Sequence, residues 1–273
     1  MKIAAIRPPG GHFLPLMDQL ANGMRIAGDE VVETLARHQY LDVDAVVCWG
    51  WRTGKRVRQF NPRVPVLVME RGYVGDRFHW TSLGWNGLNG RARFQPRGNY
   101  ARWMEHFTLE PWREIADHRA NARLNSYALI LGQVQSDQAC VNVNLAYQYR
   151  AWYSKLTQDG WKVRFRPHPK ALRQGSGLPS GIYLQGSLEQ DLAGAAFTVS
   201  WNSNSSVDSV LAGVPSVTLD EGAMAWPVTS HDLSNPVTMP SRTEWAAQLA
   251  WCQWQPAELS DGTAWKAVRE VMP

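Results

Sequence analysis

Arg166, His168 and Lys170 stand in one short run, Arg166-Pro167-His168-Pro169-Lys170, and three hydroxyls follow about 35 residues later at Ser203, Ser205 and Ser206. Cations and small hydroxyls are the groups that hold a phosphate. The serines lie in Trp201–Ser206, between an apolar stretch, Ala195–Ser200, that reads as a buried strand, and a helical stretch, Val207–Ala212, that closes at Gly213. A turn of this kind offers backbone N–H groups and the positive end of a helix dipole to an anion. The run at Arg166 follows the strand Trp161–Phe165, which puts it at the same edge of a parallel sheet. The chemistry implied is phosphate binding in a crevice. An ordinary strand, surface turn and helix would account for the serine stretch equally well.

Two carboxylates could supply a general base. Glu70 comes just past a strand read over Val64–Met69, where open α/β sheets place ligand-facing residues, and Asp76 follows six residues later. Either would take a proton from a hydroxyl, and either could instead pair with Arg71 or Arg77. The stretch from Glu70 to Phe94 holds Trp80, Trp85, Arg91 and Arg93 among its glycines, with no helical or alternating period. It reads as a long irregular loop, which is more often functional than decorative.

The elements that position these groups alternate. Strands are expected at Lys2–Ile6, Val31–Leu35, Ala45–Gly50 and Val64–Met69, with a helix over Leu14–Gly28. His12, in the Pro-Pro-Gly-Gly-His turn, is either a ligand contact or a plain turn residue. A boundary is expected near Asn121–Ser126, then strands at Tyr127–Leu131, Lys162–Phe165 and Gly181–Leu184, and a helix over Val141–Leu156. Ser187 and Gln190 form a capping-box pattern, and Glu244–Trp254 and Gly262–Val271 read as terminal helices. The alternation argues for open parallel α/β sheets. The expected division is 1–124, 125–245 and a helical tail, 246–273.

Of the 273 residues, 44% are hydrophobic and 19% charged, which is globular rather than disordered. No apolar run is long enough for a transmembrane helix. Three scattered cysteines, Cys48, Cys140 and Cys252, fit reduced thiols in a cytoplasm. The net charge of +4 favours an anionic partner, and some of the 14 tryptophans could stack on a base or sugar.

Ile130–Asp137, the His-Pro run at Arg166–Lys170 and the serine turn closing at Ala212-Gly213-Val214-Pro215 together resemble the nucleotide-binding half of the bacterial capsule polysaccharide glycosyltransferases, the group that includes Kdo transferases. Glu70-Arg71-Gly72 stands where that family has Glu-Asp-Gly, with Arg71 in place of the aspartate. The stretch after it resembles segments of small phage-encoded glycosyltransferases. The resemblance implies a GT-B fold, two Rossmann-like parallel-sheet domains facing a cleft. The first would bind the acceptor and the second a nucleotide-sugar, a UDP- or CMP-sugar. It further implies that His168, Lys170, Ser203, Ser205 and Ser206 meet the donor phosphates while Gln133 and Asp137 line the cleft; Arg166 is expected to join the donor side from its place at the end of the strand. No motif calls for a metal, and an assisting Mg²⁺ is compatible.

The expected reaction is direct displacement: Asp76 or Glu70 takes the acceptor proton while the cations and the serine turn hold the leaving phosphate. The first expected acceptor is a hydroxymethyl pyrimidine in DNA, held by Arg71, Arg77, Trp80, Trp85, Arg91, Arg93 and Arg97 through phosphate contacts and base stacking, in the host cytoplasm if the chain is phage-encoded. The alternatives are a surface-polysaccharide or lipid-linked glycan acceptor, and a non-catalytic module that binds nucleotides or nucleic acid.

Overall fold

Short apolar runs become parallel strands in the computed structural model, which describes residues 1–8, 10–11, 13–95, 100–113, 126–172 and 175–273. His12, Arg97 and all of the expected boundary except Ser126 lie outside the described residues. The chain begins with β1 (Lys2–Ile6), α1 (Leu14–Ile26), β2 (Glu30–Thr34), β3 (Ala45–Trp49), α2 (Trp51–Phe60) and β4 (Val66–Arg71). These four strands are mutually parallel in the order β4-β3-β1-β2.

The stretch expected as an irregular loop turns back into the sheet. β5 (Thr81–Trp85) runs antiparallel to β4, from Arg71 opposite Thr81 to Leu67 opposite Trp85. A single bridge from Trp85 to Arg93 extends it. Ser82 and Gly84 are poor strand formers, so pairing on both edges makes this strand where local propensity would not. Trp85 is only 1% exposed and donates its indole N–H to the Val268 carbonyl at 2.8 Å. Trp80 is also buried, packed against His106 and Phe107. Both tryptophans expected at an acceptor surface are core side chains. α3 (Tyr100–His106) follows.

Thr108–Arg242 is a second compact unit. Its elements are β6 (Tyr127–Leu131), α4 (Leu145–Gln158), β7 (Val163–Arg166), α5 (Leu188–Ala193), β8 (Ala195–Ser200), α6 (Ser205–Leu211) and β9 (Ser216–Thr218). The strands form one parallel sheet ordered β7-β6-β8-β9. Both faces are apolar, as a parallel sheet requires. Ile130, Phe165, Phe197 and Val199 pack with Tyr149, Trp152 and Leu156 of α4 on one face, and Leu129, Leu131, Leu192 and Val214 cluster on the other. The strand expected at Gly181–Leu184 reduces to a 3-10 turn, Ser180–Ile182, and a single bridge from Phe165 to Tyr183. The capping box at Ser187 and Gln190 is formed in full.

The C-terminal segment rejoins the first unit, so that unit comprises Met1–Phe107 and Thr243–Pro273. The tail is therefore part of the first unit and not a third, separate set of helices. It holds α7 (Thr243–Ala250), β10 (Gln253–Trp254), α8 (Pro256–Ser260) and α9 (Thr263–Arg269). The helix expected through Trp254 stops at Ala250 because Gln253 and Trp254 pair with Ser82 and Thr81 on the free edge of β5. The first sheet is thus six-stranded and mixed, β10-β5-β4-β3-β1-β2. Trp254, Trp265 and Val268 complete its core beside Leu67, Met69 and Trp85. Trp265 Nε1 and Arg269 Nη1 both donate to the buried Asp29 carboxylate, at 2.6 and 3.1 Å. Among the described residues, no helix is long and apolar enough to cross a membrane.

Candidate functional site

The carboxyl ends of β6 and β7 open onto a cavity of about 470 Å³ in the second unit. It is lined by Gly132 and Gln133 after β6, by Asn144 and Tyr149 at the start of α4, and by Pro167 and His168 after β7. Gly132 lets the two strand ends lie flush. A Cβ there would stand 2.9 Å from the Arg166 carbonyl and 3.0 Å from the His168 nitrogen. Tyr149 reaches up from α4 to accept the Gln133 backbone N–H on its hydroxyl at 2.8 Å.

His168 is held in one orientation. Its Nδ1 accepts the Lys170 backbone N–H at 3.0 Å, so the neutral ring carries its proton on Nε2. Burial lowers its pKa below the ordinary histidine value, and the neighbouring Lys170 lowers it further, against an opposing pull from Asp137. At neutral pH the ring is an uncharged hydrogen-bond donor at the wall of the cavity. Lys170 itself is exposed.

Gln133 is committed to the protein. Its Oε1 accepts the backbone N–H groups of Trp201 and Asn202, at 3.1 and 3.0 Å. Its Nε2 donates to Asn202 Oδ1 at 2.8 Å and to Cys140 Sγ at 3.6 Å. Asn202, nearly fully buried, passes the connection on to the Ala139 carbonyl and to Asp220 Oδ1, at 2.8 and 3.0 Å. Gln133 thus clasps the loop between β8 and α6 instead of offering its amide to a ligand. Burial, with Asp137 and Asp220 nearby, pushes the Cys140 thiol up to about 12, so it is an inert part of this network. Gln133→Ala strands two backbone N–H groups and the Asn202 carbonyl. It is expected to cost roughly 3 kcal/mol in urea unfolding. The isosteric Gln133→Glu, which keeps the acceptor but not the donor, should lose less.

Arg166 also turns away from the cavity. Its Nη1 donates to the Gly186 carbonyl at 2.6 Å and to the buried Asp191 carboxylate, locking the start of α5 to the end of β7. The expected donor contact is replaced by an ion pair across 25 residues of sequence. Asp191→Ala would leave that guanidinium half-buried without its partner, and thermal or urea unfolding should register a loss of about 3 kcal/mol.

The serine turn is tightly folded. Ser206 is fully buried and donates its hydroxyl to the Ser203 carbonyl at 2.6 Å, while Ser203 Oγ accepts the Ser205 N–H at 3.2 Å. Ser203 is itself buried and Ser205 is half-buried. Asp137 is exposed, with Oδ1 accepting the Ala139 N–H at 2.8 Å. Of the expected donor-side residues, Gln133 and His168 line the cavity; Asp137, Arg166, Lys170 and the three serines do not. Tyr149, Asn202, Asp191 and Asp220 were not anticipated. Each reads in the sequence as one more polar or aromatic residue, and its role arises from a partner distant along the chain.

In the first unit, Glu70 ends β4 half-buried, beside the start of α2. A Cβ on Gly50 would stand 3.6 Å from Glu70 Oε1, and Gly50 takes a φ of +79° that only glycine adopts readily. The carboxylate also faces the buried thiol of Cys48, whose pKa is raised by burial first and by Glu70 second. Asp76 is exposed, and its Oδ1 accepts the Phe78 N–H at 2.9 Å as an ordinary turn cap. Arg71 lies 4.2 Å over the Phe78 ring. Arg77 is half-buried, and Arg91 and Arg93 are exposed.

No protein-family model and no curated protein sequence matches the chain. Solved structures do. The chain is similar to the beta Kdo 2,4 transferase of Thermosulfurimonas dismutans KpsC at a TM-score of 0.58 and 12% identity, over 90% of this chain and 89% of that one. It is similar to the beta Kdo 2,7 transferase of the same protein at a TM-score of 0.56 and 12% identity, over 96% and 98%. The fold is GT-B. At this identity the likeness speaks to the fold, and the GT-B architecture agrees with the one that the His-Pro and serine motifs imply.

Proposed function

We propose that the chain is a glycosyltransferase that moves a sugar from a nucleotide-sugar to a hydroxyl acceptor. The observation that carries this reading is the cavity at the carboxyl edge of β6 and β7, with His168 fixed in its wall as an Nε2–H donor. A leaving nucleotide phosphate gathers negative charge, and an oriented N–H donor in a partly desolvated wall stabilises that charge without reorganising. Lys170, next to this histidine, adds a long-range positive field. Gln133 and Asn202 act by positioning the serine loop. Ser203 and Ser205 are the remaining candidates for a direct phosphate contact, whereas the buried Ser206 hydroxyl supports the turn. Glu70, half-buried near the end of β4 beside Gly50, is the general base we favour over the exposed Asp76.

The acceptor we favour is a carbohydrate hydroxyl, on a polysaccharide or a lipid-linked glycan. The two neighbours that share the fold are named as Kdo transferases. A hydroxymethyl pyrimidine in DNA has less support, because Trp80 and Trp85 are core side chains and Arg71 stacks on Phe78. The test is turnover of UDP-, CDP- and CMP-sugars against oligosaccharide acceptors and DNA containing 5-hydroxymethylcytosine, read by mass. Sugar-sized gain on an oligosaccharide is the expected result. Gain on the modified base alone would reverse the acceptor assignment, and failure to bind any of the donors would end the transferase reading.

A further inference from the structure

One of the basic runs of this protein is carried largely by a single helix. The chain carries 28 Lys and Arg against 24 Asp and Glu, and five of those cations, with no carboxylate among them, lie between Trp51 and Val64. The stretch is α2 and the turn after it. α2 packs on β3 and β4 through its buried Gly54 and Val57. Arg52, Lys55, Arg56 and Gln59 recur at helical spacing on the opposite face, and all four are exposed.

Two aromatic rings stand beside this face. Phe60 is 43% exposed at the end of α2, and Tyr40 is 73% exposed in the loop between β2 and β3. Asn61 fixes that loop against the helix. Its Oδ1 accepts the Leu41 N–H at 2.7 Å and its Nδ2 donates to the Gln39 carbonyl at 3.0 Å. His38 meets Phe60 edge-on at 6.1 Å. In the loop between β2 and β3, Asp42 lies 3.9 Å from the Lys2 ammonium and Asp44 accepts the Lys2 backbone N–H at 2.7 Å.

We propose that the outer face of α2, with Tyr40 and Phe60 at its edge, docks this protein on an anionic lipid surface. The charge is complementary to such a surface, and exposed rings beside cations suit the boundary between headgroups and acyl chains. The exposed rings of Tyr40 and Phe60 favour a lipid boundary, which offers them an apolar layer, over the polar backbone of a duplex. The inference is independent of the reaction assigned above.

The experiment is co-sedimentation of the full chain with phosphatidylcholine vesicles, with and without phosphatidylglycerol, and in parallel a duplex-DNA binding titration. Binding to the anionic vesicles alone is expected, and it should be lost at an ionic strength of about 1 M, where charge acts over only about 3 Å. The triple variant Arg52→Gln/Lys55→Gln/Arg56→Gln should bind roughly 100-fold more weakly, at about fivefold per cation. Tyr40→Ser/Phe60→Ser should weaken binding several-fold while leaving its salt dependence unchanged. All five side chains are exposed, so wild-type melting curves are expected and would certify the variants. Equal binding to neutral vesicles, no vesicle binding, or tight binding to DNA without vesicle binding would each overturn the proposal.

Discussion

Glu70→Gln is expected to lower kcat by about 10²- to 10⁴-fold, the usual contribution of a positioned general base, while donor affinity stays unchanged. The substitution keeps the shape and removes the proton acceptor. It probes this carboxylate without adding bulk beside Gly50, where a Cβ would stand 3.6 Å from Oε1. Asp76→Asn is the matched control. Its carboxylate accepts the Phe78 N–H and is exposed, so the amide should retain activity to within about tenfold. Steady-state turnover, with donor binding measured by calorimetry, separates the two. Loss in Asp76→Asn with Glu70→Gln intact would exchange their roles.

The second large effect is expected at His168. Removing one oriented donor to a developing charge typically costs about 10²- to 10³-fold in kcat, and His168→Ala should fall in that range. A pH series adds a distinct signature. The folded ring resists protonation more than a free histidine does, because of burial and then Lys170. As pH falls through its lowered pKa the ring gains charge, so affinity for a nucleoside diphosphate should rise there relative to His168→Ala, whose profile carries only the titration of the ligand's own phosphate. Stability moves the other way. The unfolded histidine takes up its proton at a higher pH than the folded one, so the native state has this contribution in full above the unfolded pKa and loses it as pH falls through the folded pKa. Unchanged nucleotide affinity and kcat in His168→Ala would remove His168 from the phosphate site.

What was legible in the sequence followed from local signals. Ala195–Ser200 and Tyr127–Leu131 are short, largely apolar runs enriched in β-branched and aromatic residues, which suit a strand covered on both faces, and both formed where expected. The box at Ser187 and Gln190 encodes its own helix start. β5 was hidden because Ser82 and Gly84 carry no strand preference, and its existence depends on β10, about 170 residues further on. The same holds at the site. That cations follow β7 is written in Arg166 to Lys170, but which of them turns toward the cavity depends on Asp191. This carboxylate takes Arg166 and leaves His168 to the wall. Trp85 illustrates the converse error. An aromatic among glycines and arginines looks like a stacking platform until the Val268 carbonyl and Trp265 enclose it.

The return of Thr243–Pro273 to the first unit sets an order on biosynthesis. The second unit has all its strands in one continuous stretch and can close as soon as that stretch has left the ribosome. The first unit, begun earlier, must wait with the apolar flank of β5 unpaired and its core lacking Trp254 and Trp265 until the final helices emerge. The unit begun before the other is therefore completed after it, and synthesis halted ahead of Thr243 would leave a sound second unit tethered to an open sheet edge.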